Sequence, residues 1–262
     1  MRSDQSIKAF WNKAAEANPY WYVSSYGPYR ADRNLEEFWA SGRTIWADIK
    51  RVTGYTPRLT DTLVEIGCGV GRLTRIIAPE VRRVIALDIS ENMLAIARQA
   101  ELPNVEFRVA DGFALLGIPD SSVDFVVAYC VFQHLPSYAA LRSYLAEMCR
   151  VAKSGSLIAF TLAPRDWKVW LLPMLRARAY MREHLFHQGA KGVYRKEWVG
   201  IRPSAQVVYK VSPISLEVTA LDAGRILYFG RCVQMFTGAA TGDSSVQSRS
   251  SSPGSIDPKV KV

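Results

Sequence analysis

The sequence predicts an α/β domain, a mostly parallel sheet with helices on both faces. Three observations predict it. From Thr62 onward, short β-branched and apolar runs recur: TLVEIG, RVIALD, NVEFRV, VDFVVAYC and SLIAFTL. Between them, apolar residues fall at helical spacing, which is the rhythm of βαβ units around a buried parallel sheet. The first run leads straight into a glycine cluster, Gly67, Gly69 and Gly71. Turns of that kind at strand carboxyl ends are where open α/β sheets bind ligands.

Each element has a local reason. Ser3 or Asp4 is placed to cap a first helix running to Ala17, where Asn18-Pro19 stops it. The stretch from Ala31 to Val52 carries Leu35, Phe38, Trp39, Trp46 and Ile49 near helical spacing, a stripe for a core or pocket. Between these two helices PYWYVSSYGPY reads as an aromatic loop. After the first strand an amphipathic helix is expected from about Val70 to Ala78. After the second, Ser90 caps ENMLAIARQA, with Glu91 in the first turn where the helix dipole favours an acid. Ser137 through Val151 forms a further helix, with Leu141, Tyr144, Leu145 and Met148 on one face. Beyond Pro164 the rhythm breaks, and Pro173 is expected to kink an apolar and cationic stretch from Arg165 to His187. Leu216–Ala220 and Arg225–Val233, joined through LDAG, read as an antiparallel hairpin, bringing the sheet to seven strands.

One domain is expected over 1–236. It divides into an N-terminal helical cap (1–60), a ligand-binding core (61–162), a substrate-side insertion (163–213) and the hairpin (214–236). The tail 237–262 is rich in Gly, Ser and Pro and is expected to be disordered. Composition excludes several classes. Hydrophobic residues make up 49% and charged residues 22%, which suits a globular core and not wholesale disorder. No stretch approaches the ~18 consecutive apolar residues of a membrane span. MRSDQSIKAFW lacks the apolar region of a secretory signal. Cys68, Cys130, Cys149 and Cys232 are widely spaced, without a Cys/His cluster; they read as reduced thiols of a cytoplasmic protein, and no metal site is expected. The net charge of +9 is scattered along the chain without a Lys/Arg run, which argues against specific nucleic-acid binding.

Two glycine codes compete for the turn at Glu65-Ile66-Gly67-Cys68-Gly69-Val70-Gly71. A dinucleotide site has GxGxxG, with a third glycine for helix–strand packing, but Arg72 stands at that position here. A carboxylate such as Glu65 beside a phosphate would repel it, whereas it suits an ammonium or sulfonium. Electrostatics therefore favour a cationic nucleoside over NAD or FAD. Asp88 ends the second strand, where a carboxylate can accept from both ribose hydroxyls. Asp111, followed by Gly112, ends the third and can accept from an adenine amino group. The alternative for both acids is helix capping.

These segments resemble the successive motifs of a known family. LVEIGCGVGRLT, VIALDISENML, FRVADG, DFVVAYCVFQHLP and RVAKSGSLIAF look like those of class I S-adenosylmethionine-dependent methyltransferases of the small-molecule kind. The resemblance covers Asp61 to Leu162 and implies a Rossmann-like fold, with the hairpin similar to the family's last two strands. It implies S-adenosyl-L-methionine as cofactor, with Gly67, Gly69 and Gly71 lining its methionyl part together with Cys68. Asp88 would hold the ribose, Ile89 would pack on adenine, and Asp111, Gly112 and Phe113 would read its edge. Tyr129 or Cys130 would offer backbone near the sulfonium, and Glu65 would support the loop and the cofactor amino group. Arg43 is a candidate for the cofactor carboxylate, an exposed charge being the alternative. Ser154-Gly155 replaces the family's usual Pro-Gly; Gly155 still permits a turn.

Methyl transfer from a sulfonium depends on alignment and exclusion of water. His134, after the fourth strand, is the candidate general base, since an imidazole accepts a proton near neutrality; loop support is the alternative. Tyr20, Trp21, Tyr22 and Tyr26 could form a flap over the acceptor, facing Trp167, Trp170, Arg195 and Trp198. His184 and His187 read as surface or lid residues. The expected reaction is methylation of an O or N atom of a small molecule. The alternatives are a macromolecular acceptor docked on Arg165–Arg182, and a non-catalytic nucleoside-binding protein. No Asn-Pro-Pro-Tyr-like motif for base amino groups is present.

Overall fold

The computed structural model describes residues 2–24, 35–162, 216–221 and 226–232. The expected insertion and tail, together with Tyr26, Trp167, Trp170, His184, His187, Arg195 and Trp198, lie outside the described residues.

Strands β1 (Thr62–Ile66), β2 (Arg83–Asp88), β3 (Val105–Val109), β4 (Val123–Ala128) and β5 (Ala152–Leu162) form a parallel sheet in the order β3-β2-β1-β4-β5. The fold is mixed α/β and Rossmann-like. Strands β6 (Leu216–Leu221) and β7 (Ile226–Cys232) pair antiparallel with each other, and β7 runs antiparallel beside β5. The strand order reverses between β1 and β4, and the crevice outside the carboxyl ends of such strands is the natural ligand site of an open α/β sheet.

Side chains alternate between the two faces of the sheet, and each face has its own core. On one, Val64, Ile66, Val126, Ala128, Ile158 and Phe160 pack against Leu141, Leu145 and Met148 of α6 (Tyr138–Val151). On the other, Leu63, Val84, Ala86, Phe125 and Ala159 meet Ile45, Trp46 and Ile49 of α3 (Leu35–Thr53). Helix α3 has acids in its first turn (Glu36, Glu37) and bases in its last (Lys50, Arg51), as the macrodipole favours. Trp46 is also fixed by its indole N–H, which donates to Glu80 at 2.8 Å.

A third cluster belongs to the N-terminal cap. Helix α1 (Arg2–Ala17) lies on α5 (Glu91–Arg98): Ser90 Oγ donates to Asn12 Oδ1 at 2.7 Å, and Asn92 Nδ2 donates to Glu16 Oε1 at 3.0 Å. Phe10 and Ala14 bury themselves there with Tyr22, Phe38, Val70 and Met93.

The structure corrects the expected elements at four places. Helix α1 already begins at Arg2, so Ser3 and Asp4 lie in its first turn and do not cap it. Residues 19–24 within the expected aromatic loop form a helix, α2 (Pro19–Ser24). The Asn18-Pro19 pair that ends α1 also starts α2: Asn18 Oδ1 accepts the Trp21 N–H at 3.0 Å, and Pro19 takes the first helical position, where its missing N–H does no harm. The helix expected from Val70 is only α4 (Thr74–Ile77), continued by a 3-10 turn, Ala78–Glu80, because Gly71 sits at φ +81° and Val70–Leu73 are turn. Strand β5 begins at Ala152, before the Ser-Gly turn expected there; Gly155, at φ +77°, is absorbed where the β4–β5 register shifts.

Candidate active site

The glycine turn is built across the tips of β1 and β2. Gly67 and Cys68 donate their N–H groups to Leu87 O at 2.6 and 2.9 Å, and Gly69 N–H donates to Asp88 Oδ2 at 2.8 Å. The other oxygen, Asp88 Oδ1, accepts from Ser90 N–H at 2.8 Å. Asp88 therefore braces the turn and does not cap a helix, and a carboxylate, with about four acceptor sites, retains capacity for a ligand beyond its backbone donors. Gly67, Gly69 and Gly71 all take positive φ, of 71°, 55° and 81°. A Cβ at Gly67 would lie 2.2 Å from Val131 Cγ2, so the loop after β4 closes directly on the turn.

Glu65, at the end of β1, is buried and accepts from Thr74 Oγ1 at 2.6 Å. Burial pushes its carboxyl up to about 7, against the pull of Thr74 and Arg72, and pushes Asp88 up to about 6 against its backbone hydrogen bonds. Burial likewise drives the Cys68 thiol up, so Cys68 serves the turn through its backbone and not as a thiolate. Two buried acids share a cradle of backbone, each with its pKa raised by burial and that of Glu65 also by the Asp88 charge. A phosphate there would be repelled, whereas a cation would relieve both.

The β2 and β3 tips form a slot. Ile89 is half-buried, and its Cδ1 lies 3.6 Å from where a Cβ on Gly112 (φ +93°) would stand. Asp111 Oδ1 accepts from both Phe113 N–H and Ala114 N–H at 2.8 Å, which fixes the loop; Phe113 is exposed. At the β4 tip, Tyr129 and Cys130 are half-buried, and Cys130 adopts φ +60° with its N–H donating to Thr161 Oγ1 at 2.6 Å.

His134 ends a short 3-10 turn, Phe132–His134. Its ring meets Trp11 edge-on at 5.1 Å, and Nε2 lies 3.3 Å from Gln133 Nε2. With the Gln133 amide nitrogen as donor, Nε2 of the neutral ring is the accepting nitrogen. Helix α2 roofs the turn: Val23 Cγ2 lies 3.1 Å from a Cβ built on Gly69, and Tyr20 packs on Phe38 and Tyr22 on Phe10. Of the expected flap, Tyr20, Trp21 and Tyr22 belong to this roof.

Arg43, the candidate for the cofactor carboxylate, follows Gly42 on α3. Its side chain is exposed, and Gly42 packs on the Arg72 carbonyl of the turn. Arg72 is buried, lies over the Phe38 ring at 5.3 Å and donates to Ser41 Oγ at 3.3 Å. Arg72, Thr74, Thr161 and Trp11 escape the sequence reading, because their partners are distant in the chain and no local pattern marks them.

A family model described as "Methyltransferase domain" matches residues 64–160, the segment that holds every one of these strand tips. The chain carries a class I S-adenosylmethionine-dependent methyltransferase domain. The methyltransferase domain is similar to a probable S-adenosylmethionine-dependent methyltransferase of Mycolicibacterium smegmatis, 39% identical over 36% of this chain and 35% of that protein. It is also similar to ribosomal RNA small subunit methyltransferase A of Thermotoga petrophila, 34% identical over 39% of each chain. Among solved structures, phosphoethanolamine N-methyltransferase 1 of Haemonchus contortus, in complex with phosphoethanolamine and S-adenosylhomocysteine, shares the fold. That match has a TM-score of 0.61 and 16% identity, over 94% of this chain and 51% of that one. The chain thus spans less than two fifths of the two curated relatives and about half of the solved one.

The residues of the methyltransferase domain fit such a cofactor. The three left-handed glycines open backbone to a ligand, the Ile89–Gly112 slot suits a planar base, and the paired acids Glu65 and Asp88 suit positive charge.

Proposed function

We propose that this chain transfers the methyl group of S-adenosylmethionine to an O or N atom of a small-molecule acceptor. One observation carries the reading: two buried carboxylates, Glu65 and Asp88, flank a glycine turn of left-handed backbone, with the Arg72 guanidinium drawn off onto Phe38 and Ser41. The bound cofactor supplies a sulfonium-activated methyl group. Everything else falls to the chain's own residues. Asp88, already fixed by Gly69 and Ser90, accepts from the ribose hydroxyls with its remaining lone pairs. Ile89 and Gly112 enclose the base, Asp111 and Phe113 border its edge, and Glu65 attracts the amino group. His134 takes the acceptor's proton at Nε2 once the Gln133 contact yields. The α1–α2 roof excludes water, and Trp11 beside His134 gives the acceptor chamber an aromatic wall.

In this reading the five parallel strands and the β6–β7 hairpin together make the seven-stranded methyltransferase unit. Residues 1–60 act as its helical and lid segment, α1 and α2 as the roof and α3 against the sheet, and residues 163–213 supply the opposite wall. The four dispersed cysteines suit a cytoplasmic protein. No described helix is long and apolar enough to cross a membrane. A macromolecular acceptor is the second reading, favoured by the net charge of +9 and by the ribosomal RNA methyltransferase among the relatives. Strong loss of activity with rising salt marks that reading; a salt-insensitive activity on a small acceptor marks the first.

Titration of tryptophan fluorescence with S-adenosylhomocysteine tests the cofactor. Tight binding lost in Asp88→Ala supports the assignment, and preference for NADH overturns it. For the base, His134→Ala is expected to lower turnover by about 100-fold or more with cofactor affinity nearly unchanged. Unaltered turnover removes His134 from the mechanism.

A further inference from the structure

The turn after β4 carries backbone strain that one side chain holds in place. The ladder between β4 and β5 ends with Ala128 opposite Phe160. Just beyond it, the Cys130 N–H donates to the hydroxyl of Thr161, a side chain of β5, at 2.6 Å. Thr161 is buried, next to the core residues Phe160 and Leu162, where a hydroxyl without a partner would be costly. Cys130 itself takes φ +60°, a left-handed conformation that a residue with a Cβ adopts at a cost of roughly 1–2 kcal/mol. Such strain persists where surrounding structure over-determines it, and it gathers at functional sites.

The direction of the bond gives it a use. The Tyr129–Cys130 peptide is trans and planar, so its N–H and C=O point in opposite directions. Strand β4 lies between β1 and β5. With the N–H drawn toward β5, the Tyr129 carbonyl points toward the β1 side, where the glycine turn begins. Val131, the next residue, packs its side chain directly on Gly67, so this turn and the glycine turn meet. A carbonyl dipole aimed there presents partial negative charge to a cation in the cradle, and the burial of Glu65 and Asp88 beside it lowers the local dielectric that would otherwise weaken the effect.

We propose that Thr161 is a positioning residue of the cofactor site: its hydroxyl holds the left-handed Tyr129–Cys130 turn and so aims the Tyr129 carbonyl at the sulfonium. The inference rests on the reading that the cradle holds S-adenosylmethionine. Its signature is charge discrimination, because S-adenosylmethionine carries the positive sulfur and S-adenosylhomocysteine does not.

The experiment is calorimetric titration of the full chain with each nucleoside, for wild type, Thr161→Val, Thr161→Ser and Cys130→Val. Thr161→Val keeps the shape and loses the donor's partner. It is expected to weaken S-adenosylmethionine about tenfold more than S-adenosylhomocysteine, the worth of one well-placed dipole. Thr161→Ser, which keeps the hydroxyl, is expected to restore the ratio to within about threefold of wild type. Cys130→Val reaches the same turn by another route, since a β-branched side chain resists positive φ; it is expected to shift the ratio the same way even where Thr161→Val does not fold. Equal weakening of both nucleosides, or an unchanged ratio in both valine variants, overturns the proposal. A wild-type chain that binds neither nucleoside overturns the cofactor reading itself, a result visible before any variant is made.

Discussion

A methyl group added at Gly67 would sit 2.2 Å from Val131 Cγ2, whereas one added at Gly54 would meet nothing within 4 Å, though both residues hold φ +71°. The pair separates backbone strain from steric conflict. Gly54→Ala is expected to lose about 1 kcal/mol of stability from strain alone. Gly67→Ala adds overpacking and is expected to lose about 2–4 kcal/mol in all, both read from urea midpoints. Titration belongs to the same scale. Burial raises Glu65 from 4.5 to about 7 and Asp88 from 3.8 to about 6, so between those limits the folded chain binds more protons than the unfolded one. Stability of the ligand-free protein is therefore expected to fall as pH rises from about 4.5 to 7, the reverse of the usual carboxylate trend. Thermal melts across that window check it, and Glu65→Gln should flatten the slope. Glycines and strand-end acids were legible in the sequence because backbone conformation and charge restrict the residue type at their own positions. Thr74 and Arg72 were not legible, since a threonine or arginine near a turn acquires meaning only from Glu65 and Phe38 across the fold.

Ser90 shows how far an element can be read locally. Its role as the cap of α5 follows from sequence, and its Oγ accepts the Met93 N–H at 3.2 Å. The same Oγ donates to Asn12 of α1, a partner no local pattern announces. Ser90→Ala is expected to lose about 1–2 kcal/mol, the usual worth of a cap, and Asn12→Ala about 1 kcal/mol. The double variant should lose less than the sum, because the shared bond is counted twice. Strict additivity in denaturant unfolding would show that α1 is not held through Ser90. The strands and α6 were legible because apolar periodicity reports burial against a sheet. Helix α2 was hidden by its aromatic composition, since the signal lay in Asn18 and Pro19, which also end α1. Apolar spacing overstates the length of α4, because it does not register the left-handed Gly71.

At the scale of the molecule, the sheet and the cap rest on different cores. Each face of the sheet has its own buried cluster, one closed by α6 and the other by α3, and neither includes a residue of α1 or α2. The cap has a third cluster, which reaches the domain through Phe38 of α3, Val70 of the glycine turn and Met93 of α5. Two of those anchors lie beside the proposed cofactor cradle, and Val23 of α2 stands over Gly69. With the nucleoside in the proposed cradle, Val23 stands over its glycine turn, so entry beneath this roof calls for the roof to open at a lower free energy than the sheet unfolds. Local stability is known to vary in this way, with ligand-covering segments at the low end. Hydrogen exchange of the free protein is therefore expected to find α1 and α2 amides at least about tenfold less protected than those of β1 and β4. Saturating S-adenosylhomocysteine should slow the cap amides by a further tenfold or so, because ligand binding penalises every open state that releases it. Cap and sheet exchanging together, with no response of the cap to the nucleoside, would mean that α1 and α2 are fixed structure and that entry to the cradle lies elsewhere.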